Sequence, residues 1–304
     1  MKNLLLAIYN KLYYVPRHIE TLFFSIINFF VKLIRKPPAV MGIDETMDCI
    51  IDNKISIARF GDGEIKLVNK TDISFQKSSS ELAERLREVL AADKEGFLPC
   101  ILSYFDYDSE ITQDTNNHWK KHMNRYRYVW YKYTNPKLQY GNSFISRFYL
   151  EIADKSTAAK RFEKLKQIWD NRDIIIIEGE KSRLGVGNDL FDNVKSIKRI
   201  LCPVDNAYEK YKEILEASIK NSFDNVLFIL AVGPTATVLA YDLFKAGFQA
   251  LDIGHADIEY EWFKAGATKK QPVTNKYVNE AGGGNGVAES ADKKYLSEII
   301  GIIK

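Results

Sequence analysis

The sequence predicts an α/β protein, a Rossmann-like doubly wound and mostly parallel sheet with an N-terminal helical extension. Short apolar runs alternate with longer segments of helical periodicity along most of the 304 residues. Several runs are apolar throughout, as expected for parallel strands buried on both faces. The composition, 46% hydrophobic and 27% charged, is that of an ordinary globular protein long enough to bury a large core.

The N-terminal extension comes first, and we predict its boundaries as 1–40, with the main domain at 41–304. Apolar side chains repeat at helical spacing over residues 22–34, and Pro37-Pro38 ends the helix. Residues 1–36 carry six basic side chains against Glu20 alone, a net charge of +5, whereas the whole chain sums to +3. The basic residues are Lys2, Lys11, Arg17, Lys32, Arg35 and Lys36.

Two interpretations of this extension are open. A basic, aromatic-rich amphipathic helix suits a membrane surface or a partner protein, and it equally suits packing on its own domain or across a homodimer. Its apolar span is shorter than the roughly 20 residues that cross a bilayer. No small-residue cleavage site follows the apolar residues 3–8, so we expect no signal peptide. The small overall charge gives no reason to expect nucleic acid as a partner.

The main domain follows as alternating strands and helices. We predict strands at 55–60, 97–102, 173–178, 198–202, 226–231 and 250–253, and helices at 79–92, 114–131, 157–171, 207–220 and 235–246. In such a sheet, ligands collect at the carboxyl ends of the strands.

The cysteines indicate the compartment. Cys49, Cys100 and Cys202 are few, widely spaced and odd in number, which indicates buried thiols and no disulfide framework. We therefore expect a cytoplasmic protein, or one attached peripherally to the inner face of the membrane.

The first strand ends in an unusual polar motif, residues 59–64, which reads Arg-Phe-Gly-Asp-Gly-Glu. In an extended chain the alternate side chains Asp62 and Glu64 share a face, where they can bind one Mg²⁺ or Mn²⁺ together with substrate phosphates. The alternative is a plain turn, because Asp-Gly favours turns.

Two further motifs also follow predicted strands. Residues 185–187 form a Gly-x-Gly, but the third glycine of the dinucleotide fingerprint is missing, so we predict a substrate-facing loop with Arg183 and Asn188 as donors. Gly233-Pro234-Thr235 precedes a helix whose free N–H groups suit an anion, although ordinary helix capping explains the same residues.

The last motif places an imidazole among carboxylates. His255, Asp257 and Glu259 follow the strand at 250–253, and His255 or Asp257 is our candidate general base. The alternative is a helix N-terminus decorated with acids. His118 and His122 lie four residues apart on a predicted helix without an evident third ligand, so we predict a surface role for them.

Four motifs in this order carry a family resemblance: residues 57–64, 185–191, 233–237 and 252–255. Over roughly residues 42–280 the chain resembles the GT-D type glycosyltransferases, a bacterial family first catalogued as a domain of unknown function. Its members act in glycosylation of serine-rich repeat adhesins and in surface polysaccharide clusters. The resemblance implies a Rossmann-like nucleotide-sugar domain, a UDP-sugar donor and a metal held through an Asp-x-Glu motif, which Asp62-Gly63-Glu64 matches.

The implied activity is metal-dependent transfer of a hexose, with glucose favoured by the resemblance, from a UDP-sugar to a hydroxyl of a glycan acceptor on an adhesin glycoprotein or surface polysaccharide. Arg59, Gly61 and the start of the helix at 235 would face the donor diphosphate. Two alternatives remain: a non-catalytic scaffold for another glycosyltransferase, and a nucleotide-dependent oxidoreductase.

Overall fold

The computed structural model describes residues 17–284 and 286–304, and within them nine strands form one sheet in the order β1-β4-β3-β2-β8-β7-β5-β6-β9. Every neighbouring pair of these strands is parallel, which confirms the doubly wound sheet. The strands are β1 (Ala39–Val40), β2 (Ser56–Arg59), β3 (Phe97–Ile101), β4 (Gln139–Asn142), β5 (Asp173–Gly179), β6 (Ser196–Cys202), β7 (Leu227–Ala231), β8 (Gln249–Asp252) and β9 (Ile299–Ile302).

Ten α-helices occupy the connections in the described part of the chain; those that begin at residues 17, 80, 113, 158, 211 and 234 overlap predicted helices, and those that begin at 43, 62, 256 and 293 were not predicted. They are α1 (Arg17–Ile34), α2 (Ile43–Asn53), α3 (Asp62–Val68), α4 (Ser80–Leu90), α5 (Gln113–Tyr133), α6 (Ala158–Gln167), α7 (Tyr211–Lys220), α8 (Pro234–Lys245), α9 (Ala256–Lys264) and α10 (Lys293–Glu298). The helix predicted at 207–220 begins as a 3₁₀ turn, Ala207–Lys210, and becomes α-helical only at Tyr211.

The strand order reverses at the centre of the sheet. From β2 the chain builds outward through β3 and β4 on one side, while β8, β7 and β5 lie on the other. Parallel doubly wound sheets bind ligands at such a reversal, outside the carboxyl ends of the strands. Arg59, the last residue of β2, and Asp252, the last residue of β8, therefore mark the expected position of a site.

The core surrounds this central region. Ile174, Ile175, Ile176 and Ile177 of β5 are buried to 1% exposure or less, as are Phe228–Leu230 of β7. Burial on both faces explains why these strands lack the polar alternation of a half-exposed sheet. Such a core is rigid and closely packed, which fixes the strand ends that carry the site.

Three strands were not predicted: β1, β4 and β9. β1 has two residues, β4 contains Gln139, Gly141 and Asn142, and β9 alternates between half-buried and exposed positions at the sheet edge. Short, polar or edge strands carry little hydrophobic signal, so tertiary pairing decides them. Ala39–Val40 pairs with Gln139 and Tyr140, so the chain enters the sheet directly after Pro37-Pro38. The division at residues 40 and 41 stays a prediction.

The helix α1 packs along α5. Phe24 is buried, and the amide of Asn28 donates to the carbonyl of Asn124 at 2.8 Å. Lys32 pairs with Asp106 at 2.5 Å, and Arg35 donates to the carbonyl of Tyr131. One face of the helix thus packs on its own domain, which was one of the two open interpretations. Residues 1–16, with Lys2 and Lys11, lie outside the described residues. Within the described part of the chain, no helix is both long and apolar enough to cross a bilayer.

Candidate active site

A cleft of about 1120 Å³ opens at the carboxyl ends of the central strands. Its floor is formed by the residues that follow β2, β7 and β8, and its walls by α5 and by the segment between α9 and α10. Of the predicted site residues, the cleft brings together Arg59, Gly61, Asp62, Glu64, Gly233, His255 and Asp257.

The Asp-x-Glu motif does not continue β2 as an extended chain, and this part of the prediction was wrong. Asp62 and Glu64 lie in the first turn of α3, whose N-cap is Gly61. The Glu64 carboxylate turns back and accepts the N–H of Gly61 at 2.7 Å, satisfying a free donor at the helix start. Helix capping therefore places the two carboxylates, and both still line the cleft.

The electrostatics at this end of the cleft favour a cation. Burial, together with the nearby charges of Asp252 and Asp62, raises the pKa of Glu64 to about 7. Burial alone would raise the pKa of Asp62 as well, but the ammonium of Lys66 at 2.5 Å holds it below its usual range. Burial also raises the pKa of Asp252. Three carboxylates thus face one region, and two of them already attract cationic side chains: Asp62 pairs with Lys66, and Asp252 lies 3.7 Å from Arg59.

This donor set fits Mg²⁺ or Mn²⁺, since both prefer oxygen ligands. Among the described residues, no group of three or more His, Cys, Asp or Glu side chains is placed to hold a metal by itself. Two carboxylates completed by substrate phosphates are a common Mg²⁺ arrangement. That Asp62 and Glu64 bind a metal ion stays a prediction, and the chemistry of these two carboxylates is compatible with it.

Arg59 is held rigidly between the two central strands. Its Nε donates to the carbonyl of Asp252 at 3.0 Å and its Nη1 to the hydroxyl of Ser146 at 2.6 Å. Gly254 makes room for it: a Cβ there would lie 1.9 Å from Nη2 of Arg59. The guanidinium is thereby fixed in the cleft wall as a permanent positive charge.

The start of α8 contributes less than predicted. Gly233 lines the cleft with a φ of +54°, but Pro234 has no N–H to donate and is buried outside the lining. Thr235 is fully buried, and its hydroxyl has no hydrogen-bond partner. A direct contact of the Pro234 and Thr235 side chains with the donor is therefore not supported by the structure. The N–H groups of Gly233 and Thr235 remain candidates for the diphosphate.

Arg183 and Asn188 do not line the cleft, and their prediction as substrate donors was wrong. Arg183 is 4% exposed and donates to the carbonyls of Asn275 and Ala288. The amide of Asn188 donates to Asp257 and to Glu261, each at 2.7 Å. The polar groups of both side chains form hydrogen bonds within the protein. These hydrogen bonds hold the loop after β5 against segments that are distant in sequence.

Both carboxylate oxygens of Asp257 are likewise engaged by partners within the protein, so this side chain is not placed to act as a base. One carboxylate oxygen pairs with Lys276 at 2.7 Å, and the other accepts the N–H of Gly185 at 2.9 Å and the amide of Asn188. The side chains of Asp257 and Lys276 are 2% and 3% exposed. This buried pair joins α9 to the loop after β5 and to the segment before α10.

His255 remains the candidate base. Burial, opposed by the charge of Glu280 and assisted by the cations Arg147, Arg59 and Lys270, lowers the pKa of its imidazole to about 4. The ring is therefore neutral near pH 7 and able to accept a proton. Its Nε2 lies 3.7 Å from a Glu280 oxygen.

Beside His255 lies a charged cluster that sequence reasoning missed. Arg147 binds both oxygens of Glu280 at 2.6 Å, and Lys270 contacts Glu280 at 2.6 Å and Glu151 at 3.0 Å. Although burial opposes ionisation, the charge of Arg147 holds the pKa of Glu280 well below its usual range. The four side chains line the cleft and offer fixed donors and acceptors for polar substrate groups.

The two histidines of α5 differ from the predicted surface role. His118 is exposed, but it lines the cleft with its Nε2 3.7 Å from Asp62. His122 is buried, accepts a hydrogen bond from the Trp130 indole at 3.0 Å, and has a pKa lowered to about 3 by burial. His118 is thus a site residue and His122 a core residue.

Only one of the missed site residues carried a sequence signal. Asp252 directly follows the apolar run of β8, a position where ligand-contacting side chains are expected. Arg147, Glu151, Lys270 and Glu280 come from irregular segments without periodicity. Their convergence depends on tertiary structure.

Solved structures with this fold are known. One described as a new glycosyltransferase (domain of unknown function 1792) from Streptococcus sanguinis superposes with a TM-score of 0.84 at 38% identity, covering 88% of this chain and 100% of that one. A second, described as a distinct glycosyltransferase fold of the highly conserved domain of unknown function 1792, gives a TM-score of 0.82 at 39% identity, covering 88% and 96%.

Curated relatives are longer proteins. The chain is 40% identical over 263 residues to a probable glycosyl transferase Gly of Streptococcus gordonii, covering 86% of this chain and 38% of the relative. It is 41% identical over 262 residues to glycosyltransferase GlyD of Streptococcus pneumoniae serotype 4 (strain ATCC BAA-334 / TIGR4), covering 86% and 32%. The chain thus spans about a third of the length of these relatives.

The family model described as "Glycosyltransferase GT-D fold" matches residues 57–281, which include β2, the cleft and the Glu280 cluster. This match and the superpositions confirm the resemblance that the four motifs carry. The chain belongs to the GT-D glycosyltransferase family.

Proposed function

We propose that this protein transfers a hexose, glucose in the first instance, from a UDP-sugar to a hydroxyl of a glycan acceptor on an adhesin glycoprotein or surface polysaccharide. The observation that carries the proposal is one cleft at the sheet reversal. It combines the Asp62 and Glu64 carboxylates, the fixed guanidinium of Arg59 and the backbone of Gly233 before α8. Family membership supports the reaction class.

The diphosphate end of the cleft would be the region around Arg59. A UDP leaving group gains negative charge as the glycosidic bond breaks, and fixed donors stabilise that charge without reorganising. Asp62 and Glu64 would hold Mg²⁺ or Mn²⁺, which supplies further positive charge to the diphosphate. Arg59 would add a positive charge whose planar donors suit phosphate oxygens.

The sugar end would be the region around His255 and Glu280. The neutral imidazole of His255 would take the acceptor hydroxyl proton in a reaction that inverts the anomeric centre. Glu280, Arg147 and Lys270 are held by one another at hydrogen-bonding distances and would present fixed polar groups to sugar hydroxyls. We place this activity in the cytoplasm, consistent with three free cysteines in the chain.

Calorimetry of UDP binding tests the proposal directly. UDP should bind more tightly with Mn²⁺ than in EDTA, because a cation bridges carboxylates and phosphates that otherwise repel each other. Equal affinity in EDTA and Mn²⁺ would contradict the bridging role. Tighter binding of NAD than of UDP would favour the oxidoreductase alternative.

A donor-hydrolysis assay then separates an enzyme from a scaffold. Release of UDP from a UDP-sugar should require Mn²⁺ or Mg²⁺ and should increase with a sugar-primed acceptor. A panel of UDP-sugars identifies the hexose. A protein that binds UDP but releases none from any donor, with or without acceptor, would be the non-catalytic scaffold.

A further inference from the structure

The outer face of α1 is strongly apolar. Six large side chains on this helix are between 51% and 76% exposed, although the helix is docked on the protein: Leu22, Ile26, Phe29, Phe30, Leu33 and Ile34. Positions 22, 26, 29 and 33 recur every three or four residues, so they lie on one face of the helix. Exposed apolar patches of this kind mark interaction surfaces.

The inner face fixes how this patch is presented. Phe24 is buried, Asn28 bonds the backbone of α5, and Arg35 bonds the carbonyl of Tyr131. These contacts run along the helix, so α1 lies flat against the body with its apolar side outward. A ligand for this face must therefore be a surface that accepts a helix lying parallel to it.

The net charge of residues 1–36 indicates which kind of surface α1 binds. Residues 1–36 hold six basic side chains against one acid, and Lys36 is exposed directly after the helix. A second copy of this chain would bring two segments of net charge +5 together, which is unfavourable. An anionic lipid surface instead matches both the apolar face and the positive charge.

We infer that α1 docks through its apolar outer face on the surface of an anionic lipid bilayer. Leu22, Ile26, Phe29 and Leu33 would insert at the boundary between headgroups and acyl chains. Lys36 would contact lipid phosphates, whereas Lys32 and Arg35 are paired with Asp106 and the carbonyl of Tyr131. The helix that receives α1 also lines the cleft through Thr115, His118 and Trp119, so docking would hold the cleft at a fixed orientation to the membrane.

Vesicle co-sedimentation of the full chain tests this inference, and its readout does not depend on the proposed glycosyl transfer. The protein should bind vesicles of phosphatidylcholine with phosphatidylglycerol and bind phosphatidylcholine vesicles more weakly. Raising NaCl from about 0.1 to about 0.5 M should weaken binding, since it shortens the screening length. Lack of binding to the anionic vesicles, or equal binding to both kinds, would overturn the inference.

Matched variants locate the contact. The triple variant Ile26→Ser, Phe29→Ser and Leu33→Ser should lower vesicle affinity at least about tenfold, given the apolar area removed. Ile302→Ser is the control, because Ile302 and Ile26 are both isoleucines with 51% exposure and Ile302 lies on β9. The expected result is that only the triple variant loses affinity while both keep the wild-type melting temperature. Equal affinity of the triple variant and the wild type would place the lipid contact elsewhere and overturn the inference.

Phe29→Trp provides a gain of signal. Trp130, Trp169 and Trp262 are fully buried and Trp119 is half-buried in the cleft, so the wild type sets the baseline and the added indole on α1 should increase quenching by brominated lipids above it. Sedimentation velocity without vesicles tests the alternative that a second copy of the chain binds the apolar face of α1. A wild-type dimer that becomes monomeric in the triple variant, without quenching of the Phe29→Trp variant by lipid, would show that a second copy covers this face.

Discussion

At the scale of single residues, the structure separates side chains that face the cleft from those that hold it together. Asp62, Glu64, Arg59, His255 and Asp257 line the cleft, whereas Arg183 and Asn188 do not, and Asp257 is held by Lys276. All seven have residue types that suit catalysis, so composition alone does not distinguish them. What distinguishes them is their place in the fold: Arg183 and Asn188 lie outside the cleft lining, and the Asp257 side chain is 2% exposed in a buried ion pair.

Asp62→Asn should lower donor turnover by about 100-fold or more, since it removes a negative charge expected to hold the metal cation while keeping the side-chain shape. Its pair with Lys66 is about one-third exposed, so the melting temperature should change little. Asp48→Asn, which removes an exposed partner of Lys164 away from the cleft, is the control and should keep full turnover. Wild-type turnover of Asp62→Asn without added metal would refute the metal assignment.

Lys276→Met should destabilise the protein by about 3–5 kcal/mol in urea unfolding, because it leaves Asp257 buried without its cation. Combining it with Asp257→Asn should recover much of this loss. If Asp257 were instead a catalytic base, the double variant would fold normally yet lose transfer with unchanged UDP affinity.

Glu259 should make stability depend on pH. Burial raises its pKa to about 7 from an ordinary value of 4.5, so its stabilising contribution is complete below pH 4.5 and is lost as the pH rises through 7. The difference in unfolding free energy between Glu259→Gln and the wild type should therefore shift by about 3 kcal/mol in favour of the variant between pH 4 and pH 8. Chemical unfolding at several pH values measures this shift, and a constant difference would contradict the raised pKa.

At the scale of elements, short turns after the central strands position the functional groups. The turn between β8 and α9 contains Gly254 at φ +45°, and its missing side chain admits the Arg59 guanidinium. The turn between β2 and α3 uses Gly61 as an N-cap, with Glu64 folded back on it. In both turns a glycine lies two residues after the end of a buried strand. The backbone conformation at these glycines therefore determines where the neighbouring site residues lie.

Gly254→Ala should weaken UDP binding by about tenfold, because the added Cβ would displace Arg59 from the cleft wall. Gly266→Ala is the matched control, since Gly266 also has positive φ, +62°, but open space around it. Both variants should lose about 1 kcal/mol of stability through backbone strain. Calorimetry showing equal UDP affinity for the two would exclude Arg59 from donor binding.

At the scale of the whole molecule, one sheet whose strand order reverses at β2 and β8 positions the cleft and the surrounding helices. The cleft lies at the carboxyl edge of this reversal, and α1 is attached through α5, one wall of the cleft. The extension is therefore bound to the catalytic body on one side and apolar on the other.

Deleting residues 1–38 should leave donor hydrolysis largely unchanged, because no residue of the segment lines the cleft within the described residues. It should lower the melting temperature by several degrees and cause aggregation, since the α5 surface under Phe24 becomes exposed. It should also abolish binding to anionic vesicles. Deletion of residues 1–16 is the milder control that keeps α1. A truncated enzyme with wild-type stability, solubility and vesicle binding would contradict both the packing and the docking of α1.

The sequence by itself determined the parallel α/β fold, the order of its long strands and the family, because buried strands and amphipathic helices leave periodic hydrophobic signals. The sequence motifs also predicted that Arg59, Asp62 and Glu64 lie at or just after the end of β2. They predicted that His255 lies just after β8. Only the tertiary structure decided the short strands β1, β4 and β9, the helical conformation of the Asp-x-Glu motif, and the buried ion pair of Asp257 with Lys276. The Glu280 cluster joins residues 147, 151, 270 and 280, which no local pattern connects. Such contacts depend on which segments the sheet brings together, and a linear pattern does not carry that information.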